Sequence, residues 1–265
     1  MEWKRVKSIL IAVLLLTCLL LAANILWQVR SQRVREKAAV RDACAVALQS
    51  GVDINADLVL ALPVRSAEQT ASRNAESEQR LADALLGTGC IPEEPGGGVS
   101  IFENDNGRII IRRGGALEIH LTGRDKSNVD WTGLLQGAGL KLSRAGLQTE
   151  EGVTSFSQYT DEGVPIFNCM LSCSISGEEL LISGRWLLEA SLTSGDAGRT
   201  RAELTLALAG IMEKNGAKKV LSLTQGYSLQ SDSIRRLELT PVWTAETDAG
   251  IIILNTVTKK TIPTA

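Results

Sequence analysis

The sequence predicts an α+β protein. One N-terminal transmembrane helix precedes a domain of antiparallel β-hairpins with helices packed on one face, arranged as two related lobes. Three observations predict this. The run SILIAVLLLTCLLLAANILWQV, from Ser8 to Val29, contains no charged residue. Three hairpin-like units follow, each with an aromatic in its first strand, a polar turn and an apolar second strand. A helix-like segment precedes each unit, and helices alternating with antiparallel hairpins pack as an α+β fold.

The apolar run sets the first boundary. As a helix it is roughly 33 Å long, enough for a bilayer core of about 30 Å. Trp3 and Trp27 flank it where interfacial aromatics belong. A cleaved signal peptide is the rival reading, but its apolar core is usually about 7–15 residues, and Leu21-Ala22-Ala23 is a poor cleavage site. The expected organisation is a short tail at 1–7, an anchor helix at 8–29, a juxtamembrane helix at 30–51, a first lobe at 52–150 and a second at 151–265. Basic residues stand on both sides of the anchor. Lys4, Arg5 and Lys7 precede it, and Arg30, Arg33, Arg35, Lys37 and Arg41 follow it. Counted alone they favour a cytoplasmic C-terminal domain.

Within the juxtamembrane helix, Val34, Ala38, Ala45 and Leu48 suggest an apolar stripe, and Gly51 ends it. DLVLALPV then reads as a short strand ending at Pro63. A helix is expected from Ala67 to Leu86, capped by Ser66 with Gln69 three residues on, and closed by Gly87. The first hairpin is SIFENDNGRIIIRRGG, turning at Asn-Gly. A short helix near Trp131–Gln136 precedes the second, VPIFNCMLSCSISGEELLISGRW. The third helix begins at the capping box Thr200-Arg201-Ala202-Glu203, turns Leu204, Leu208, Ile211 and Met212 inward, and ends at Asn215-Gly216. The third hairpin is LTPVWTAETDAGIIILN.

Composition excludes several functions. The 265 residues carry a net charge of −2, which offers no basic surplus for nucleic acid. Five cysteines are present without a C-x-x-C pair, and the chain has one histidine, so no zinc site is expected. Cys169 and Cys173 on one strand would stand about 13 Å apart, too far for a disulfide. The cysteines read as buried free thiols. GAGLKLSRAG lacks the glycine spacing of a dinucleotide loop and reads as a helix end followed by a turn. His120 alternates on a strand in GALEIHLTG. The adjacent pairs Glu93-Glu94, Glu150-Glu151 and Glu178-Glu179 read as solvated turns, because neighbouring strand residues point to opposite faces. No catalytic residue, cofactor, metal or small-molecule substrate is expected, and the chain reads as a non-enzyme.

Several motifs, taken together, resemble one family. MEWKRVKSILIAVLLLT, with Glu2, Trp3, Lys4 and Lys7, resembles the start of the YycH/YycI-type two-component-system regulatory proteins of Gram-positive bacteria, and YycI in particular. FSQYTDEGVPIFNCML is similar to the family's Gln-then-Pro-x-Phe strand pair through Gln158, Pro165 and Phe167. GYSLQ and LTPVWTAETDAGIIILNTVT resemble its closing segment through Gly226, Tyr227, Pro241, Trp243, Asp248, Gly250 and Asn255. The chain departs from the family where Asn255 is followed by Thr-Val-Thr-Lys-Lys, so the last strand is expected to run on or fray. The span from Leu187 to Arg199 shows no match.

The resemblance implies a single-pass protein of the cell membrane, with a cytoplasmic N-terminus and an extracytoplasmic domain. It implies an accessory role beside a cell-wall sensor histidine kinase and a sister YycH-like protein. The alternative is an extracytoplasmic PepSY-like binding or protease-inhibitor module. On the anchor, Thr17 and Asn24 lie seven residues apart on one helical face, and Ala22 and Ala23 would let another helix approach. That face is the expected transmembrane partner contact. Thr17 can instead bond its own backbone, and Asn24 lies near the water interface.

Overall fold

A computed structural model describes residues 2–62, 67–122, 131–140, 147–150, 153–160, 162–176, 179–188, 192–197, 199–231 and 236–262. The chain is α+β: the described residues form one long N-terminal helix, four shorter α-helices, a 3-10 turn at Arg113–Gly115 and a branched, largely antiparallel sheet.

Helix α1 runs without a break over Glu2–Gln49. Anchor and juxtamembrane helix are thus one element, about 72 Å long. Its final turn is closed by Gly51 N–H to Leu48 O at 3.0 Å, with Gly51 at φ 83. The buried stripe differs from the expected one. Val34, Ala38, Ala45 and Leu48 are exposed, whereas Val40, Ala43 and Ala47 are buried and Cys44 is half-buried. Both sets fit a helical period. The second set is smaller in side-chain size, so α1 can approach α5 (Arg201–Asn215) closely. Helix α5 starts and stops as its residues dictate. Thr200 Oγ1 accepts from Glu203 N–H, and Gly216 is left-handed at φ 72. Leu204, Leu208 and Met212 are buried, with Ile211 packed beside them.

Two expected elements change type. DLVLALPV lies largely in a helix, α2 (Ala56–Ala61), because the Asn55 side chain accepts from Asp57 N–H at 2.8 Å and caps it. Val59 then enters the core between α1 and α5. Such short buried apolar runs have no period that separates strand from helix. Pro63 and Ser66 lie outside the described residues. The expected helix Ala67–Leu86 divides into β1 (Ala67–Ser72) and α3 (Ala75–Leu86). Asn74 is the true N-cap, accepting from Glu76 N–H at 3.0 Å, and Gly87 closes the helix as expected. Strand β1 exists because both of its edges are filled by distant strands.

The remaining strands are β2 (Glu93–Gly96), β3 (Val99–Asn104), β4 (Gly107–Ile111), β5 (Ala116–Leu121), β6 (Leu147–Glu150), β7 (Val153–Tyr159), β8 (Pro165–Ser176), β9 (Glu179–Arg185), β10 (Leu192–Ala197), β11 (Val220–Ser231), β12 (Arg236–Thr247), β13 (Gly250–Asn255) and β14 (Thr261–Ile262). The main path of the sheet is β10-β1-β12-β11-β8-β9-β5-β4-β3-β2. Strands from either side of position 150 interleave along it. All three expected hairpins are present, as β3–β4, β8–β9 and β12–β13. One core lies between β3–β5, β7–β9 and helices α3 and α4 (Trp131–Gly137), and a second under α1, α2 and α5.

Two long strands change partner along one edge. Residues Arg236–Leu239 of β12 pair with β1, and Val242–Thr247 pair with β13. Pro241 stands between these segments. Its carbonyl accepts from Thr256 N–H and Thr256 Oγ1, both at 3.0 Å. A residue's N and C=O point to the same side of a strand, so the missing proline N–H faces the gap where no partner needs it. Strand β8 divides likewise. Ile166 bridges Tyr227 of β11 in parallel, and Leu171–Ser176 pair with β9.

That single parallel bridge joins the two halves of the sheet, and side chains complete it. Asn168 donates to Leu229 O at 2.8 Å and accepts from Leu229 N–H at 2.7 Å, replacing a backbone rung. Within the half that holds β7, β8 and β9, Gln158 closes in the same manner on Leu187, at 2.7 and 2.8 Å. Gly226 lets β8 lie close: an added Cβ would sit 2.5 Å from both the Phe167 ring and Pro165 O. Tyr227, Leu229, Leu239, Ile166 and Cys169 fill the seam as a third apolar cluster.

Two substitutions test this packing. Trp243, 2 % exposed within the second core, should destabilise the domain by about 3–5 kcal/mol when changed to Ala. Gly226→Ala should cost about 1–3 kcal/mol by overpacking the seam. Denaturant titration of the full chain in detergent measures both. A Gly226→Ala chain as stable as the parent would show that the seam yields freely.

Candidate interaction surfaces

The N-terminal part of α1 presents a long exposed apolar surface. From Val13 onward the helix contains a stretch long and apolar enough to cross a membrane. Thr17 and Asn24 are exposed on it. Thr17 Oγ1 donates to Val13 O at 2.9 Å, an intrahelical bond that leaves the hydroxyl oxygen open to a second donor. Trp3 is exposed, with the Lys7 ammonium 5.4 Å from its ring centroid.

The other end of α1 is locked to the domain. Arg201, at the start of α5, is buried. Its Nη1 donates to Glu36 Oε1 at 3.1 Å, and its Nη2 donates to the carbonyl of Leu62, just past α2. One guanidinium therefore ties three helices together beneath the point where α1 enters the core. Removing one partner of such a part-buried pair exposes the other to an uncompensated desolvation cost. Neither Arg201 nor Glu36 stands out in the sequence. Only the capping box Thr200–Glu203 marks the helix start nearby.

The motif residues of the domain fall into two groups. Gln158, Pro165, Phe167, Gly226, Tyr227 and Pro241 gather at the seam between β8, β11 and β12. Phe167 is about one-third exposed there, so its ring covers Gly226 and still meets solvent. Trp243, Asp248, Gly250 and Asn255 hold the β12–β13 hairpin. Asp248 Oδ1 accepts from Lys218 N–H at 2.9 Å and Lys219 N–H at 3.2 Å, and these bonds hold its carboxyl below the usual range. Gly250, at φ 124, completes the turn. Asn255 is buried and its Oδ1 accepts from Val257 N–H and Thr258 N–H, each at 2.8 Å. The chain beyond Asn255 does not run on as expected. It turns back, with Lys259 left-handed at φ 59, and β14 pairs with β13.

Other candidates have structural partners. Arg73 forms a bidentate ion pair with Glu78, at 2.7 and 2.8 Å, and also donates to Gly98 O and Ser100 Oγ. It lines an open cleft of about 490 Å³ beside the Gly96–Gly98 loop, but its donors point at the protein. His120 Nε2 lies 3.1 Å from Glu179 Oε2 on the half-exposed face of the sheet. Glu151 and Glu178 lie outside the described residues. GAGLKLSRAG begins at the end of α4, where Gly139 N–H donates to Gln136 O at 3.0 Å, and residues 141–146 lie outside the described residues. Among the described residues no three His, Cys, Asp or Glu side chains gather as a metal site. The five cysteines are free: Cys90, Cys169 and Cys173 buried, Cys44 half-buried and Cys18 exposed. Burial pushes the Cys169 thiol up to about 12, against the pull of Arg185 and a backbone bond from Leu187. Burial alone pushes Cys173 to about 12.

The fold and these surfaces define an α+β domain behind one helix long and apolar enough to span a membrane. No protein-family model matches the chain, and no curated protein matches it. Among solved structures it is similar to an uncharacterized protein from Eubacterium rectale ATCC 33656, at 11 % identity and TM-score 0.44, over 76 % of this chain and 86 % of that one. It is also similar to the C-terminal domain of Bacillus megaterium YpeB, at 11 % identity and TM-score 0.33, over 73 % of this chain and 99 % of that one.

The buried thiols set an alkaline limit. The folded chain holds protons on Cys169 and Cys173 up to about pH 12, whereas an unfolded cysteine releases its proton near 8.5. The folded state therefore binds more protons between those values, and stability falls as pH rises through that window. A Cys169→Ala, Cys173→Ala chain should lose stability less steeply there, measured as denaturant midpoint against pH. Parallel curves would show that the two thiols titrate alike in both states.

Proposed function

We propose that the chain is a membrane-anchored accessory regulator of a cell-wall two-component sensor histidine kinase, of the YycI type. It acts by protein–protein contact through the anchor helix and an extracytoplasmic domain. The observation that carries the reading is the unbroken α1, locked to α5 and α2 through Glu36, Arg201 and Leu62. A helix that is both span and core element moves with the domain. A partner helix gripping Thr17 and Asn24 therefore acts through α5 and α2 on the core that holds the β12–β13 hairpin. The sequence motifs supply the kind of partner, a sensor histidine kinase with a sister YycH-like protein.

Purification of the full chain in mild detergent, followed by mass spectrometry, should recover a sensor histidine kinase. Recovery of a protease or wall fragment without a kinase would favour the PepSY-like binding or inhibitor reading. Polar groups between membrane helices contribute about 0.6–2 kcal/mol each, so Thr17→Leu or Asn24→Leu should weaken crosslinking to the partner anchor roughly threefold to thirtyfold. Leu15→Ala with Leu19→Ala, on the opposite face, is the comparison. A larger effect there would move the docking face.

Orientation has its own test. Ile91 is 83 % exposed, so an Ile91→Cys chain should react with a membrane-impermeant thiol reagent on intact cells. Large domains cross the membrane largely regardless of flanking charge, which lets an exported domain coexist with Arg30–Arg41. Labelling only after lysis would reverse the topology.

A further inference from the structure

The charge of the chain is strongly segregated. Residues 1–41 hold eight Lys or Arg against two Glu, whereas residues 42–265 hold 20 against 28 acidic residues. Five of those cations stand within twelve residues after the apolar run: Arg30, Arg33, Arg35, Lys37 and Arg41. All five are exposed on α1, and among the described residues none has an ion-pair partner. The acid that lies among them, Glu36, is already engaged by Arg201.

We infer that this collar binds the anionic headgroups of phospholipids in the leaflet from which α1 emerges. The inference rests on α1 spanning a membrane and holds for either topology. With the span ending at Val29, Arg30 follows at about 1.5 Å, Arg33 at about 6 Å, Arg35 at about 9 Å and Lys37 at about 12 Å along the helix axis. The headgroup layer is about 5–8 Å thick on each side, and the long side chains of Arg35 and Lys37 can reach back toward it. Arg30, Arg33, Lys37 and Arg41 fall within an arc of about 80° on the helix, and Arg35 stands on the opposite side, so the collar meets lipid on two flanks. A planar guanidinium matches a phosphate bidentately. The acidic domain above is repelled by the same anionic surface, so attraction at the collar and repulsion beyond it together hold the domain at a fixed height. The lock at Glu36 and Arg201 carries that placement into the core.

The experiment uses the full chain in two steps. First, flotation with vesicles should show equal insertion of the parent chain and a variant carrying Arg30→Gln, Arg33→Gln, Arg35→Gln and Lys37→Gln. Failure of the parent to float overturns the span itself, a different failure from that of the collar. Second, the chain in mixed micelles is titrated with phosphatidylglycerol, phosphatidylcholine or inorganic phosphate. Phosphatidylglycerol should bind in preference to phosphatidylcholine, more weakly as salt rises, and about fivefold more weakly for each cation removed. Lys218→Gln with Lys219→Gln, remote from the span in sequence, should leave that affinity unchanged. Equal binding of the two lipids overturns the inference. So does competition by inorganic phosphate at matched concentration, which marks a free-anion site, or loss of selectivity on changing Lys4, Arg5 and Lys7 alone.

Discussion

The sheet depends on one narrow junction. Its two halves touch through the parallel approach of β8 to β11, where a single backbone bridge, Ile166 to Tyr227, is formed. An antiparallel hairpin secures itself by a row of rungs, but this junction has too little backbone pairing for that. Side chains take over the work. Asn168 closes on Leu229 across the junction as donor and acceptor at once, and Arg185 Nη1 adds a longer bond to Leu229 O at 3.4 Å. Gln158 closes in the same way on Leu187 within the β7–β9 half, beside the junction. An amide in this pose satisfies a backbone N–H and a backbone C=O at once, so its loss costs more than one ordinary hydrogen bond. The close approach itself requires a residue without a side chain at 226.

The same reasoning explains the split strands. Both β8 and β12 change partner along one edge, and each change leaves a gap in the ladder. A gap in a sheet is tolerable only where no N–H is stranded. In β12 the residue at the gap is Pro241, which has none. In β8 the gap is bridged by the Asn168 amide, and Gly184, at φ 147, lets β9 come against Met170 O. The motif residues of the seam are thus the groups that make a branched sheet consistent with its hydrogen bonds. Phe167, half in and half out, leaves part of that seam on the surface.

Helix α1 joins this framework to an apolar length sufficient to cross a membrane. Its small-residue face admits α5, and Arg201 draws α5 and the end of α2 onto it. The apolar length of α1 was evident from composition, but the face it buries was not. Val34 and Leu48 are larger and more apolar than Ala43 and Ala47, so a reading by hydrophobicity selects the wrong stripe. Close helix packing selects for small size, and the geometry of α5 decides which small residues are used.

The sequence by itself determined the elements whose signals are local. Asn-Gly and Asp-Ala-Gly turns fixed two hairpins, Thr200 and Gly216 bounded α5, Gly87 ended α3, and an uncharged run defined the helix length apolar enough to cross a membrane. Each rests on a few neighbouring residues whose backbone preferences agree. It also marked Gln158, Gly226, Pro241 and Trp243 as unusual without saying what they touch. Tertiary structure decided the rest. Ala67–Ser72 carries helix-compatible residues, yet becomes a strand because β10 and β12 offer it two open edges. Asn168 is an ordinary polar residue in an apolar run until Leu229, 61 positions away, comes opposite it. Arg201 and Glu36 are 165 residues apart and meet only when α5 lies along α1. Contacts of that separation leave no periodic trace in a sequence, because the residues that form them answer to partners supplied by the fold and not to their neighbours in the chain.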